Sequence, residues 1–151
     1  MTIKLTRIWK DSAISQRNKL KLVNTLIFPI ATYASETWTL KTTSRRKIDA
    51  FEMWAYRRML RISYTEHRTN VSILRQLKVN TRLSTKINQS YLRYFGHISR
   101  RTDGLEKIII EGKINGKRPR GRSPTRWVDQ TKEIIGHGLQ EVSIAFYSRS
   151  R

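Results

Sequence analysis

The sequence has no cysteine in its 151 residues, which excludes disulfides and thiolate metal sites and leaves the redox compartment open. Acidic residues are few: 11 Asp and Glu stand against 31 Lys and Arg, a formal net charge of +20. Self-repulsion on that scale opposes a compact state unless a polyanion neutralises it. No two of the acids are adjacent. Metal-dependent phosphoryl transfer needs carboxylates converging on two ions about 4 Å apart, and nothing in the sequence brings them together. Asp49 with Glu52, and Asp129 with Glu133, stand at helical spacing among basic neighbours and read as ion-pairing surface groups. The three histidines, His67, His97 and His137, lie far apart with no carboxylate at ligand spacing, so no zinc site is expected. There is no GxSxG elbow and no P-loop. The chain on its own is therefore expected to hold no metal and no cofactor, and to catalyse nothing.

Long hydrophobic runs are also lacking. The most apolar stretch, LVNTLIFPIATYA (residues 22–34), is broken by Asn24, Thr25 and Pro29 and is too short to cross a bilayer. It lies too far into the chain, behind too many charges, for a signal peptide. With no signal peptide and no membrane-spanning segment, a nuclear or cytoplasmic location is the expectation. What is present is a hydrophobic content of 38%, enough for the core of one ordinary domain or two very small ones.

The apolar residues have a helical period in most of the chain. Residues 12–34 carry Ile14, Leu20, Val23, Ile27, Ile30 and Ala34 behind a cap at Asp11 or Ser12, with Pro29 set to kink or end the helix near Phe28. Ser44 caps a second helix with Ile48, Phe51, Ala55, Met59 and Ile62 in its core stripe. Thr69 caps a brief third, with Val71, Leu74 and Leu77, and residues 81–100 place Leu83, Ile87, Tyr91, Tyr94, Phe95 and Ile98 on one arc of a fourth. The β-branched run in LEKIIIEGKING, closing on Asn115-Gly116, predicts a strand or hairpin near residues 107–115. Next comes GKRPRGRSPTRW (residues 116–127), a basic Arg-Gly loop, in which Ser123-Pro124 opens a last helix with Trp127, Val128, Ile134 and Ile135 that Gly136 and Gly138 stop. The expected fold is mainly α: amphipathic helices in a small bundle, a short β-hairpin, and the basic loop before a C-terminal helix.

The charges fall in rows. On the second helix Arg46, Lys47, Arg57, Arg58 and Arg61 share an arc of roughly 120° that also holds Trp54. On the fourth, Arg82, Lys86, Arg93 and Arg100 lie within about 40° of one another, next to Arg101. No acid occurs between His67 and Thr102, whereas a merely solvated helix surface mixes signs. These residues, with Lys117, Arg118, Arg120, Arg122 and Arg126 of the loop, are the candidate contacts to a nucleic-acid backbone; Trp54 adds a surface on which a base can stack. A solvated basic face and a membrane-surface helix are the rival readings. The second is weakened because the apolar arcs, with Tyr91, Tyr94 and Ala55, suit packing against one another better than lipid.

Six blocks resemble one family in order: IWKDSAIS (residues 8–15), LIFPIATYASETWTL (26–40), IDAFEMWAYRRMLRI (48–62), HRTNVSIL (67–74), YLRYFGHISRR (91–101) and GKINGKRPRGRSPTRW (112–127). They are similar to the C-terminal part of the endonuclease–reverse transcriptase polyprotein of LINE-type, non-LTR retrotransposons. The resemblance implies an RNA-directed DNA polymerase parent with an endonuclease. The catalytic palm and the endonuclease lie outside anything that matches here, and the cysteines usual near Ala34-Ser35 and at Ala55 are absent. By this comparison residues 1–40 are a thumb-like helical segment, 44–102 a basic helical extension, 105–138 a hairpin, Arg-Gly loop and short helix, and 139–151 a poorly ordered tail. The expected partners are RNA or DNA, gripped through the phosphate backbone, and the palm of the parent polyprotein; no membrane is expected. A truncated pseudogene product without a selected function is the other reading of the same resemblance.

Overall fold

The computed structural model describes residues 5–101, 104–111, 121 and 127–135. Among them the chain forms helices and turns and no strand, in line with the expected mainly helical class. By its internal contacts it divides into two compact units: residues up to Tyr33 with Lys41–Lys86, and Ala34–Leu40 with the residues from Ile87 onward.

The first unit opens on α1 (Thr6–Lys10), whose Trp9 is buried. A helix this short shows no period in the sequence. Its open end is closed from a distance: Lys19 Nζ donates to the main-chain carbonyls of Trp9 (3.0 Å) and Asp11 (2.7 Å). Helix α2 (Gln16–Leu22) starts at Ser15, whose hydroxyl accepts the Asn18 N–H at 3.3 Å. Neither Asp11 nor Ser12 is the cap; the Asp11 carboxylate instead accepts the Ala13 N–H at 2.8 Å and closes the turn before the helix. A π turn, Val23–Ile27, follows, with the Phe28 N–H donating to the Val23 carbonyl. Pro29 has no N–H to give, and its ring presses on the carbonyl four residues back. The wider turn makes room for it, so the helix resumes as α3 (Phe28–Ala31) with Pro29 in its first turn.

Helix α4 (Thr42–Leu60) begins two residues before Ser44, without a side-chain cap. Its buried residues are Glu52, Met53, Ala55, Tyr56 and Met59, so the core face is centred about 70° around the helix from the stripe of Ile48, Phe51, Ala55 and Met59. Phe28 meets α4 edge-on at Phe51 (6.3 Å between centroids) and Tyr56 (5.7 Å). The rotation also corrects Glu52, expected at the surface and found fully buried. Its Oε2 is 2.5 Å from Arg82 Nε and its Oε1 accepts the Leu83 N–H at 3.0 Å, with Tyr56 Oη donating to the same oxygen at 3.4 Å. A carboxylate can sit in a core only when its charge and lone pairs are met in this way. Thr69 caps α5 (Asn70–Leu77) as expected, accepting the Ser72 N–H at 3.2 Å. Ile73 and Leu77 face the core, while Val71 does not.

Helix α6 (Leu83–Ser99) starts in the first unit and continues in the second, with Leu83, Ile87, Tyr91, Phe95 and Ile98 buried along one face. In the second unit α7 (Leu105–Glu111) packs against α8 (Trp127–Ile135). Tyr91 Oη bonds the Trp127 carbonyl (2.6 Å) and the Thr131 hydroxyl (2.7 Å), and the Tyr91 and Trp127 rings lie 4.3 Å apart. The Ala34–Leu40 segment is tied to the same helix: Leu40 N–H donates to Gln130 Oε1 (2.7 Å) and Trp127 Nε1 donates to the Glu36 carbonyl (3.0 Å).

The expected hairpin is not formed: residues 107–111 belong to α7, and the rest of the stretch lies outside the described residues. Strand preference of a β-branched run depends on a sheet to receive it. Here Glu106 sits in the helix's first turn, where the dipole favours a carboxylate, and Ile110 reaches the cluster of Phe95, Val128, Trp127 and Ile135. Ser123-Pro124, Gly136 and Gly138 also lie outside the described residues.

Candidate nucleic-acid interface

The rotation of α4 sets Asp49 and Glu52 away from the face that carries Arg46, Lys47, Arg58 and Arg61. Asp49 and Glu52 both turn to Arg82, the former at 3.5 Å from Nη2. Burial works against the Arg82 charge, but the bond to Glu52, then its charge and that of Asp49, outweigh it and raise the pKa. Arg82 is therefore a structural cation within the first unit, held by a partner thirty residues earlier, rather than an open member of the α6 row. Lys86 is exposed in the same unit.

The opposite face of α4 carries Arg46, Lys47, Trp54, Arg58 and Arg61, all exposed, and Arg57, half-buried. Arg57 Nη2 donates to the Arg68 carbonyl (2.9 Å) and to Asn70 Oδ1 (2.8 Å), which fastens the turn before α5. Arg58 places its guanidinium carbon 5.9 Å from the centre of the Trp54 ring, a cation–π contact, while Phe51 stacks with the same indole at 6.1 Å and 25°. Arg61 ends the helix in the left-handed region, φ 59°, where the N–H groups of Arg61 and Ile62 close on the carbonyls of Arg58 and Arg57.

Between this last turn and α1 lies a cavity of about 270 Å³, walled by Thr6 and Lys10 on one side and Arg57, Arg58 and Arg61 on the other, with Trp9 lining it. Lys10 was not among the sequence candidates, because α1 is too short for a face to be assigned. Exposed Arg17 and Lys21, on α2 beside a second cavity, were missed for a different reason: they sit in a segment singled out for its apolar residues.

In the second unit Arg93 and Arg100 are exposed on α6. Arg101 pairs with Glu106 at 3.0 Å, and its carbonyl accepts from Lys107 Nζ. Lys117, Arg118, Arg120, Arg122 and Arg126 lie outside the described residues. Among the described residues no group of three His, Asp or Glu side chains gathers as a metal site would require, and no helix is long and apolar enough to cross a membrane.

The chain is similar to a putative uncharacterised transposon-derived protein of Caenorhabditis elegans, with 27% identity over 130 residues. The match covers 83% of this chain and 47% of that protein, so the chain spans about half the length of its relative. What the similarity supports is a transposon origin. No family model matches the sequence, and no solved structure matches it.

Proposed function

We propose that this chain is a nucleic-acid-binding segment of a transposon-derived reverse transcriptase of the LINE type, holding RNA or DNA through the phosphate backbone and performing no catalysis by itself. One observation carries the reading: the two acids of α4 are drawn to Arg82, and the face left over presents Arg46, Lys47, Arg58 and Arg61 to solvent without a carboxylate among them. A surface built only for solubility mixes signs. A backbone binder does the reverse, because each phosphate it neutralises releases counterions. The order of the six sequence blocks supports thumb and extension as the parent regions. The exposed Ile30 and Tyr33 of the α3 segment, 61% and 82% accessible, suit a surface that a palm region would cover.

The test is a salt titration of binding to a single strand and to a duplex. The slope of log affinity against log salt should be steep, and Arg46→Ala with Lys47→Ala and Arg58→Ala should make it shallower by about 2 to 3. Absence of binding at low salt sinks the reading, as does a triple variant with an unchanged slope for this face.

A further inference from the structure

We propose that the cavity between α1 and the last turn of α4 is a binding site for a single phosphate group. Four basic residues line it, Lys10, Arg57, Arg58 and Arg61, of which Arg57 also holds the Arg68 carbonyl and Asn70 and Arg58 lies over Trp54, and no acidic side chain lines it among the described residues. At about 270 Å³ it has room for a tetrahedral oxyanion and several waters, each water occupying about 30 Å³ in the liquid.

Trp9 and Arg61 bear on what the cavity can hold. Trp9, 2% exposed and lining the cavity, has an indole N–H with no hydrogen-bond partner. Indole is a donor only, so an acceptor, a water or an anion's oxygen, would satisfy it. Arg61, in turn, occupies a left-handed helix end, φ 59°, a position that glycine takes without strain and a β-carbon-bearing residue does not. Ala34, His67 and Lys78 take the same conformation elsewhere in the chain, and of the four it is Arg61 that brings a charge to the lining of the cavity. The carbonyl end of α4 by itself repels an anion, and the charges of Arg57, Arg58 and Arg61 in its last turn and cap oppose that field.

The site deepens the nucleic-acid reading and rests on it for the source of the phosphate, which is either a phosphodiester within a strand or a terminal phosphate. The indole N–H signals of Trp9, Trp38, Trp54 and Trp127 in the full-length, nitrogen-15-labelled chain provide the readout, with Trp9 identified through Trp9→Phe. Titration with inorganic pyrophosphate at low salt should move the Trp9 signal saturably and the others little, with a dissociation constant on the order of 1 mM. Arg61→Gly should weaken that binding about tenfold while leaving the thermal midpoint unchanged or raised, which separates a lost site from a lost fold. Lys10→Gln, at an exposed position, should weaken it in the same direction.

A motionless Trp9 signal, or an Arg61→Gly titration like that of the parent, overturns the site. Single strands with and without a 5′-phosphate then identify the source: equal displacement of pyrophosphate assigns an internal phosphodiester, and displacement by the phosphorylated strand alone assigns the terminus. Strands that bind but displace nothing overturn the site's part in nucleic-acid binding. A responsive Trp9 with no strand binding at all would leave the site standing and remove the functional reading instead.

Discussion

Each unit buries a tyrosine hydroxyl, and the two are satisfied by opposite means. In the first, Tyr56 faces the fully buried Glu52 carboxylate, whose charge is answered by Arg82 from the start of α6. In the second, Tyr91 is bound only by neutral groups, the Trp127 carbonyl and the Thr131 hydroxyl, and Gln130 beside them takes the Leu40 N–H. The charged arrangement holds α4 to the start of α6 but leaves a large desolvation cost if any partner is lost. The neutral one ties α6 to α8 with a smaller liability. A carboxylate placed inside draws one arginine inward and leaves the outer face of α4 free of acid.

The largest effect should come from Arg82→Ala, which strands a buried carboxylate. About 3–5 kcal/mol of stability should disappear in urea unfolding. Adding Glu52→Gln should recover most of it, because glutamine keeps the acceptor for the Leu83 N–H and carries no charge to desolvate. If the double variant is as unstable as the single, the cost lies in lost packing of the arginine stem, and the contrast between the units is one of size rather than charge.

Tyr91→Phe removes one hydroxyl and leaves the Trp127 carbonyl and Thr131 Oγ1 short of a partner, for a smaller loss of about 1–3 kcal/mol. The same two tyrosines set the alkaline limit. Burial above all pushes the Tyr91 hydroxyl up from 10.0 to about 12, and burial together with the charge and bond of Glu52 pushes Tyr56 up further still. A raised pKa favours the protonated form in the fold, so the contribution is complete below pH 10, where the unfolded chain also keeps its proton, and drains away as pH rises toward 12 and beyond. Unfolding midpoints measured from pH 9 to 12 should fall above about 10, and Tyr91→Phe should flatten part of that fall.

The legible parts of this fold are the ones decided locally. Thr69 is a cap by its own chemistry, and the row from Leu83 to Ile98 repeats long enough to fix which side of α6 is inside. The face of α4 was misjudged by about 70° because Glu52 looks like a surface residue until Arg82 is brought beside it, and no rule of spacing connects positions thirty residues apart. The triple isoleucine of α7 reads as strand when only its own preference is considered, yet the contact that decides it, Ile110 against the cluster of Phe95 and Val128, comes from other helices. The candidate site divides in the same way. The basic row of α4 is visible from helical arithmetic, whereas Lys10 and the Trp9 donor enter only through the packing of α1 on α4.

The smallest effect should come from Arg58, and it completes the contrast with Arg82. Both are arginines of one unit, but Arg58 has its guanidinium in solvent over the Trp54 ring and has no buried charge depending on it. Arg58→Ala should therefore cost about 0.5–1 kcal/mol in urea unfolding, the worth of an exposed cation–π contact. Its nucleic-acid salt slope should nonetheless become shallower by about 0.7 to 0.9, one phosphate's share. The two readouts move independently only if the residue belongs to the binding face and not to the core. A loss of stability like that of Arg82→Ala, with the slope unchanged, would mean that α4's outer arginines hold the fold together and that the division of acids from bases on this helix serves packing alone.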